Sequence, residues 1–128
     1  MRRARVLVID DEPSVADALK TILEDYGYET ALAPTGGEGL ELSAARHFHL
    51  TITDYQLPDM TGLDVLNALR GRAVACPVIV ISAHASPALR AAAAACGALC
   101  VLPKPFLPSD ILTLVERALA DCAAPPAR

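Results

Sequence analysis

Five polar side chains each follow a short apolar run, and their chemical types suit work on a phosphoryl group. They are Asp10, Asp11, Asp54, Ser82 and Lys104. If the apolar runs are parallel strands, their carboxyl ends meet at one edge of one sheet, where open α/β sheets bind ligands. Carboxylates gathered there can bind Mg²⁺, while the hydroxyl and the ammonium can contact phosphoryl oxygens. The sequence therefore predicts a metal-assisted phosphoryl site.

The carboxylates also limit what such a site can do. Like charges packed closely raise each other's pKa unless a cation lies among them, and a divalent ion with oxygen ligands resolves that conflict. A carboxylate such as that of Asp54 can itself be the nucleophile and become an aspartyl phosphate. Taken singly, each motif has a structural explanation, such as a solvated helix entry or a turn. Their occurrence at successive strand ends favours the chemical interpretation.

Alternating strand and helix patterns predict the elements that position these groups. The strands are predicted at Arg5–Ile9, Glu29–Ala33, His49–Thr53, Pro77–Ile81 and Leu99–Leu102. The helices are predicted from Pro13 to Gly27, from Thr35 to about Arg46, after Thr61, from Ser86 to Gly97 and from Pro108. Capping boxes are expected at Thr35 and Thr61. The first helix has an apolar stripe of Val15, Leu19, Ile22, Leu23 and Tyr26.

This alternation predicts a doubly wound, flavodoxin-like α/β fold, (βα)5, with a five-stranded parallel sheet. Winding both ways around a central first strand gives the strand order 2-1-3-4-5. The point where the order reverses then falls between strands one and three, at whose ends the three aspartates lie. We expect one domain over residues 1–122 and a short C-terminal tail over residues 123–128.

Composition excludes several classes of protein. Hydrophobic residues make up 53% of the 128 residues but aromatic residues only 4%, which predicts an aliphatic core. The net charge of -4 argues against direct nucleic acid binding by this domain. No apolar stretch is long enough to span a membrane, and the run after Met1 is cut short at Asp10, so we expect neither a membrane span nor a signal peptide and place the protein in the cytoplasm.

The cysteines show no metal-ligand spacing. They are Cys76, Cys96, Cys100 and Cys122. We interpret them as small buried hydrophobes or incidental thiols, because disulfides are rare in cytosolic proteins.

The sequence resembles the CheY-like receiver domain of two-component response regulators, from Val6 to about Leu119. The stretches that carry the resemblance are Val8–Pro13, Asp54–Gly62, Val80–Ala83, Gly97–Ala98 and Lys104–Phe106. The resemblance implies that Asp54 is the phosphoacceptor and that Mg²⁺ is the cofactor. Asp11 would bind the ion with Asp54 and the main-chain carbonyl of Gln56, and Asp10 would act through a metal-bound water.

The resemblance also implies roles for the residues around the phosphoryl group. Ser82 stands at the family's serine/threonine switch position and would turn towards the phosphoryl group. Lys104 would pair with Asp54 or its phosphate. Pro105 is expected to be a cis-proline. Gln56 and His84 border the site and would influence how fast water removes the phosphate.

The partners implied by the resemblance are a phosphodonor and an effector. The donor would be a sensor histidine kinase or a histidine phosphotransfer protein, docking near Pro13, Ser14, Val15 and Pro105. The alternative for Val15 is simple packing in the core. The surface of the fourth helix, fifth strand and fifth helix would signal to a downstream effector protein or domain. Whether a second copy also binds there stays open.

One position departs from the family pattern. Val101 stands where the family commonly has tyrosine or phenylalanine, and valine cannot make the inward aromatic swing. The switch could then work through loop and helix shifts, the output could differ, or the surface could be a fixed docking site. A phosphate-independent binding module is therefore one alternative function. A Mg²⁺-dependent phosphohydrolase is another, although the chain is short and has Gln56 where a second aspartate would be expected.

Overall fold

Five strands alternate with five helices over the described part of the chain. The computed structural model describes the backbone of residues 3–123 and the side chains of residues 3–120. The strands are β1 (Arg5–Ile9), β2 (Glu29–Ala33), β3 (Leu50–Asp54), β4 (Val78–Ser82) and β5 (Cys100–Pro103). The helices are α1 (Pro13–Asp25), α2 (Gly36–Ala45), α3 (Gly62–Gly71), α4 (Pro87–Cys96) and α5 (Pro108–Ala123).

The strands form one parallel sheet in the order β2-β1-β3-β4-β5, which confirms the predicted fold class and strand order. The register places the carboxyl ends of neighbouring strands side by side. Ile9 pairs with Thr53, and Ser82 pairs with Pro103. The residues that end or follow β1, β3, β4 and β5 therefore lie at one edge of the sheet.

The core consists of two apolar layers, one on each face of the sheet. Side chains alternate between the faces along each strand. Leu7 and Ile9 belong to the layer that contains the buried residues of α2, α3 and α4, whereas Val6 and Val8 belong to the layer with those of α1 and α5. Because both faces are covered, β3 and β4 are buried along their whole length.

Three strands begin and end one residue later than predicted. β3 extends through Asp54, β4 through Ser82 and β5 through Pro103. The main-chain ladder continues past the last apolar residue, because Tyr55 donates its N–H to the Ile81 carbonyl at 2.7 Å. The phosphoacceptor candidate and the switch candidate are thus part of the sheet rather than of the loops that follow it.

The end of α1 also corrects the prediction. Tyr26, placed in the apolar stripe, is 62% exposed, and Ala16 is buried on that helix instead. Tyr26 caps the helix, and Gly27 adopts a φ of 89°, as expected for a left-handed stop.

The two predicted capping boxes differ. At Thr61 the box is complete, with the Asp64 N–H donating to the threonine hydroxyl and the Thr61 N–H donating to the Asp64 carboxylate. At Thr35 only half of the box forms. The Glu38 N–H donates to the threonine hydroxyl, but the Glu38 carboxylate accepts from that hydroxyl instead of from the Thr35 N–H.

Asp59, in the loop after β3, supplies the remaining acceptors for α2. Its two carboxylate oxygens accept the Gly36 and Gly37 N–H groups at 2.9 Å each. The loop that follows the phosphoacceptor candidate is thereby tied to the start of α2.

The remaining predictions concern the termini and the cysteines. Of the predicted tail, Ala123 ends α5, while residues 124–128 and the Cys122 side chain lie outside the described residues. Cys76 is buried, and no disulfide links the cysteines among the described side chains. Over the described part of the chain, no helix has both the length and the apolar character needed to cross a membrane.

Candidate functional site

The predicted carboxylates and lysine meet at the carboxyl edge of the sheet. Asp10 follows β1 and Asp54 ends β3, and both are buried. Lys104 follows β5, and its Nζ lies 3.0 Å from Asp54 Oδ1 and 3.5 Å from Asp10 Oδ2. The sheet therefore brings together groups that are far apart in sequence.

Three carboxylates at this edge can share one cation. A carboxylate oxygen from each of Asp10, Asp11 and Asp54 lies within 4.8 Å of the others. Asp10 Oδ1 accepts the Glu12 N–H at 2.9 Å, but Asp10 Oδ2 is buried and accepts no hydrogen bond. A buried oxygen without a donor and an all-oxygen ligand set both fit a hard divalent ion such as Mg²⁺.

Glu12 is a fourth acidic residue of the site that the sequence interpretation did not assign. Its Oε1 lies 3.0 Å from Lys104 Nζ, as close as the oxygen of Asp54. The side chain is 57% exposed, so the ion pair forms at the mouth of the site. The signal for this residue was its position as the third acid in Asp10-Asp11-Glu12.

The acids and the lysine shift each other's ionisation. Burial raises the pKa of Asp54, and the contact with Lys104 opposes that rise without cancelling it. Burial likewise raises the pKa of Asp10, and the charge on Asp54 adds to the effect. Burial of Lys104 would lower its pKa, but hydrogen bonds to Asp54 and Glu12 outweigh it and raise the pKa. Lys104 is therefore a cation at neutral pH within an excess of negative charge.

Ser82 lies at the buried end of β4, next to Asp54 on β3. Its Oγ accepts the His84 N–H at 3.0 Å, which ties the switch candidate to the loop before α4. Gln56 and His84 are both exposed. They line a cleft of about 770 Å³ together with Asp54, Ser82 and Lys104, so all the residues predicted to surround the phosphoryl group face one cavity.

Gly62 sets the position of Asp54 through close backbone packing. Its N–H donates to the Tyr55 carbonyl at 2.6 Å, and a Cβ built on it would lie 2.7 Å from the main-chain oxygen of Asp54. The start of α3 thus rests directly against the end of β3, and only glycine leaves the space for that contact.

A second cavity, of about 630 Å³, lies between α1 and the loop before α5. It is lined by Ser14, Val15, Ile22, Pro105 and Phe106, among others, and Glu12 and Lys104 line both this cavity and the cleft. Val15 is half-buried, packs against the core and also lines this cavity, so core packing is confirmed for that residue and its part in docking stays a prediction. The Lys104–Pro105 peptide bond is cis, as the resemblance implied.

Val101 is buried on β5, with 6% of its surface exposed. Its side chain belongs to the same apolar layer as Leu89 and Ala93 of α4. The position at which the family commonly has tyrosine or phenylalanine is thus filled by a smaller, buried side chain.

Comparison with known proteins gives consistent matches. The sequence model of the response regulator receiver domain matches residues 6–116. The transcriptional regulatory protein KdpE of Mycobacterium tuberculosis is 40% identical over 114 residues, which cover 89% of this chain and 50% of that protein. The regulatory protein AtoC of Escherichia coli is 34% identical over 115 residues, covering 90% of this chain and 25% of that protein. The chain thus spans half or less of the length of these relatives.

Solved structures match over nearly the whole chain. A CheY-like receiver domain protein from Methanospirillum hungatei superposes with a TM-score of 0.91 at 31% identity, covering 95% of this chain and 98% of that one. The chemotaxis protein CheY4 of Vibrio cholerae gives 0.88 at 32% identity, covering 92% and 100%. The beryllofluoride-activated NtrC4 receiver domain, described as a dimer, gives 0.88 at 31% identity, covering 92% and 98%.

Proposed function

The chain belongs to the response regulator receiver domain family, and on that premise we propose that it accepts a phosphoryl group on Asp54 from a phosphohistidine. The observation that carries the proposal is the environment of Asp54. Its carboxylate is buried in the sheet, opens on the cleft, and lies 3.0 Å from Lys104 and beside Asp10 and Asp11.

In the proposed step, an oxygen of the Asp54 carboxylate attacks the phosphorus of the phosphohistidine. The new P–O bond forms as the P–N bond breaks, and the electron pair of that bond stays on the imidazole nitrogen, which takes up a proton. Phosphoryl transfer depends mainly on positioning and charge neutralisation. Lys104 supplies a fixed positive charge, and Ser82 supplies a hydroxyl that can donate to a phosphoryl oxygen.

The proposed cofactor is Mg²⁺. Asp11 and Asp54 would hold it with the main-chain carbonyl of Gln56, and Asp10 would act through a bound water. When bound, the ion neutralises negative charge on the phosphoryl oxygens. The three clustered carboxylates support this, and so does Asp10 Oδ2, which is buried and accepts no hydrogen bond. Burial raises the pKa of Asp54 and Asp10, so a bound cation would favour their charged forms.

The proposed consequence of phosphorylation is a change in the surface of α4, β5 and α5. Ser82 would leave the His84 N–H and turn towards the phosphoryl group, which would move the loop before α4. Gln56 and His84, exposed at the mouth of the cleft, would determine how easily water reaches the phosphate. The chain would catalyse only its own phosphorylation and dephosphorylation, as a signalling domain.

We assign the phosphodonor to the second cavity. A sensor histidine kinase or a histidine phosphotransfer protein would pack against Val15, Ile22 and Phe106, with Ser14 and Pro105 at the rim. This placement supports transfer because Glu12 and Lys104 line both cavities, so a donor bound there lies next to Asp54.

The proposed effector is a downstream protein or a further domain. Relatives such as KdpE are named as transcriptional regulators and are about twice as long. The acidic receiver itself is not proposed to bind nucleic acid. A second copy is another candidate partner, because the similar NtrC4 receiver domain is described as a dimer. We place the activity in the cytoplasm.

Intact-mass measurement after incubation with Mg²⁺ and phosphoramidate tests the proposal. We expect one phosphoryl adduct on the wild type and none on Asp54→Asn, since an acyl phosphate requires that carboxylate. Asp17→Asn, which removes the same charge from an exposed position of α1, is the control and should be labelled normally. Absence of any adduct with small donors and with a phosphohistidine protein would overturn the proposal in favour of a phosphate-independent module. Continuous phosphate release from many substrates would instead indicate a hydrolase.

A further inference from the structure

Phosphorylation of Asp54, if it is to change the α4–β5 surface, needs a physical connection from Ser82 to β5. The buried Val101 side chain is too small and too tightly packed to provide one by swinging. Arg90 on α4 is exposed, yet its guanidinium reaches back to the main chain of two other segments.

The guanidinium of Arg90 bridges the loop before α4 and strand β5. Its Nε–H donates to the Ala85 carbonyl at 3.3 Å, and its Nη1–H donates to the Val101 carbonyl at 3.0 Å. The group is planar and its donors have fixed relative positions, so a shift of one acceptor reorients the donor that serves the other. Arg90 therefore links the loop to the backbone of the residue that replaces the family's aromatic.

The loop that carries Ala85 is connected to Ser82 by successive hydrogen bonds. Ser82 Oγ accepts the His84 N–H at 3.0 Å, and the His84 carbonyl accepts the Ser86 N–H at 2.9 Å. Ser86 then caps α4, its Oγ accepting the Leu89 N–H at 3.1 Å. A rotation of Ser82 Oγ away from the His84 N–H would remove the first of these acceptors and loosen the loop.

We infer that Arg90 is the positioning residue that transmits the state of Ser82 to β5 and to the exposed face of α4. The inference rests on the proposed function and specifies its regulation. When Ser82 turns towards the phosphoryl group, residues 83–86 move with the Ala85 carbonyl. The guanidinium follows that carbonyl and alters its bond to Val101, so the main chain of β5 and the surface of α4 change together.

The test compares amide chemical shifts by NMR before and after adding beryllofluoride with Mg²⁺ as a phosphoryl mimic. The reporters are the amides of residues 83–86 for the loop and the Leu102 amide, which shares a peptide plane with the Val101 carbonyl. We expect both to respond in the wild type. In Arg90→Gln the chemical-shift changes of the loop amides should persist. The change at the Leu102 amide should fall at least about twofold, because a single residue on a coupling route commonly changes the coupling between two sites by that factor or more.

Arg72→Gln is the matched control. Like Arg90, Arg72 donates from its guanidinium to a main-chain carbonyl, that of Leu40, but Arg72 lies at the end of α3 and contacts neither the loop nor β5 through this bond. It should respond like the wild type. Should Arg90→Gln fail to fold, Arg90→Ala replaces it, since alanine removes both donors and the same loss is expected. An undiminished Leu102 response in either variant overturns the inference while leaving the proposed function intact. No response of the loop in the wild type overturns the proposed switching step and this inference with it, whereas the mass assay decides separately whether Asp54 is phosphorylated.

Discussion

Replacement of Gly62 by alanine should damage both the fold and the proposed phosphoacceptor site around Asp54. The new Cβ would lie 2.7 Å from the Asp54 main-chain oxygen and 3.2 Å from Thr53 Cγ2. Ordinary contacts begin at 3.4 Å, so the start of α3 and the end of β3 must separate by about 0.7 Å. The nearest atom is main chain of the central sheet and cannot rotate away.

The magnitude follows from that displacement. Overpacking of this kind costs about 1–3 kcal/mol of unfolding free energy. In a domain of this size, 2 kcal/mol lowers the melting temperature by roughly 8 °C. Because catalytic geometry tolerates little displacement, and about 1 Å of misplacement can cost on the order of a hundredfold in rate, we expect labelling of Asp54 to slow by tenfold or more.

Gly71 at the other end of α3 provides the matched control. A Cβ built there meets nothing within 4 Å. Gly71→Ala should therefore be labelled at the wild-type rate and should be more stable by about 0.4–1 kcal/mol, because alanine restricts the unfolded chain. Thermal melts and phosphoramidate labelling of both variants give the answer. Wild-type stability and rate in Gly62→Ala would refute the argument that this contact positions Asp54.

Three further substitutions give distinct outcomes. Asp59→Asn should lower the urea midpoint at pH 7. Hydrogen bonds from Gly37 and Gly36 hold the Asp59 pKa below its usual value. The charged carboxylate therefore stabilises the folded protein above about pH 4, and this stabilisation is lost on acidification. The urea midpoints of the variant and the wild type should become equal at low pH. Lys104→Ala should still accept some phosphate in the mass assay but should show no Leu102 response in the NMR experiment. In EDTA, Asp54→Asn should have a higher melting temperature than the wild type, because burial raises the Asp54 pKa and so disfavours its charged form. Added Mg²⁺ should reduce this difference in melting temperature.

The sheet, and the meeting of the polar side chains at its carboxyl edge, were predictable because each depends on a local signal. An apolar run followed by a polar residue indicates both a buried strand and the polar side chain at its carboxyl end, as at Val78–Ile81 before Ser82. The strand order followed from the alternation with helices. Strand ends were displaced by one residue because main-chain hydrogen bonds continue past the apolar side chains, and hydrophobicity does not report those bonds.

What escaped prediction are contacts between distant segments made by long or branched polar side chains. Asp59 caps α2 across 23 residues, and Arg90 reaches the Val101 carbonyl across 11. Both side chains resemble ordinary surface charges in the sequence, and only the packing of loops against helices decides where they bond. Tyr26 shows the opposite error, since its helical spacing continued one residue beyond the point at which the helix turns away from the core.

The charges of the site explain why its proposed chemistry should need a bound cation and why the buried carboxylates should lower the stability of the fold. Lys104 faces three acids, Asp10, Glu12 and Asp54, within 3.5 Å, and cannot neutralise all of them. Burial holds Asp10 and Asp54 in a low-dielectric environment where unpaired charge is expensive. A second positive group from the chain would remove that cost, but it would also occupy the space and the carboxylate oxygens that an incoming phosphoryl group and its metal need. Under the proposed function, the excess of carboxylates over cations is the feature that leaves the site open to a phosphoryl group and its metal ion.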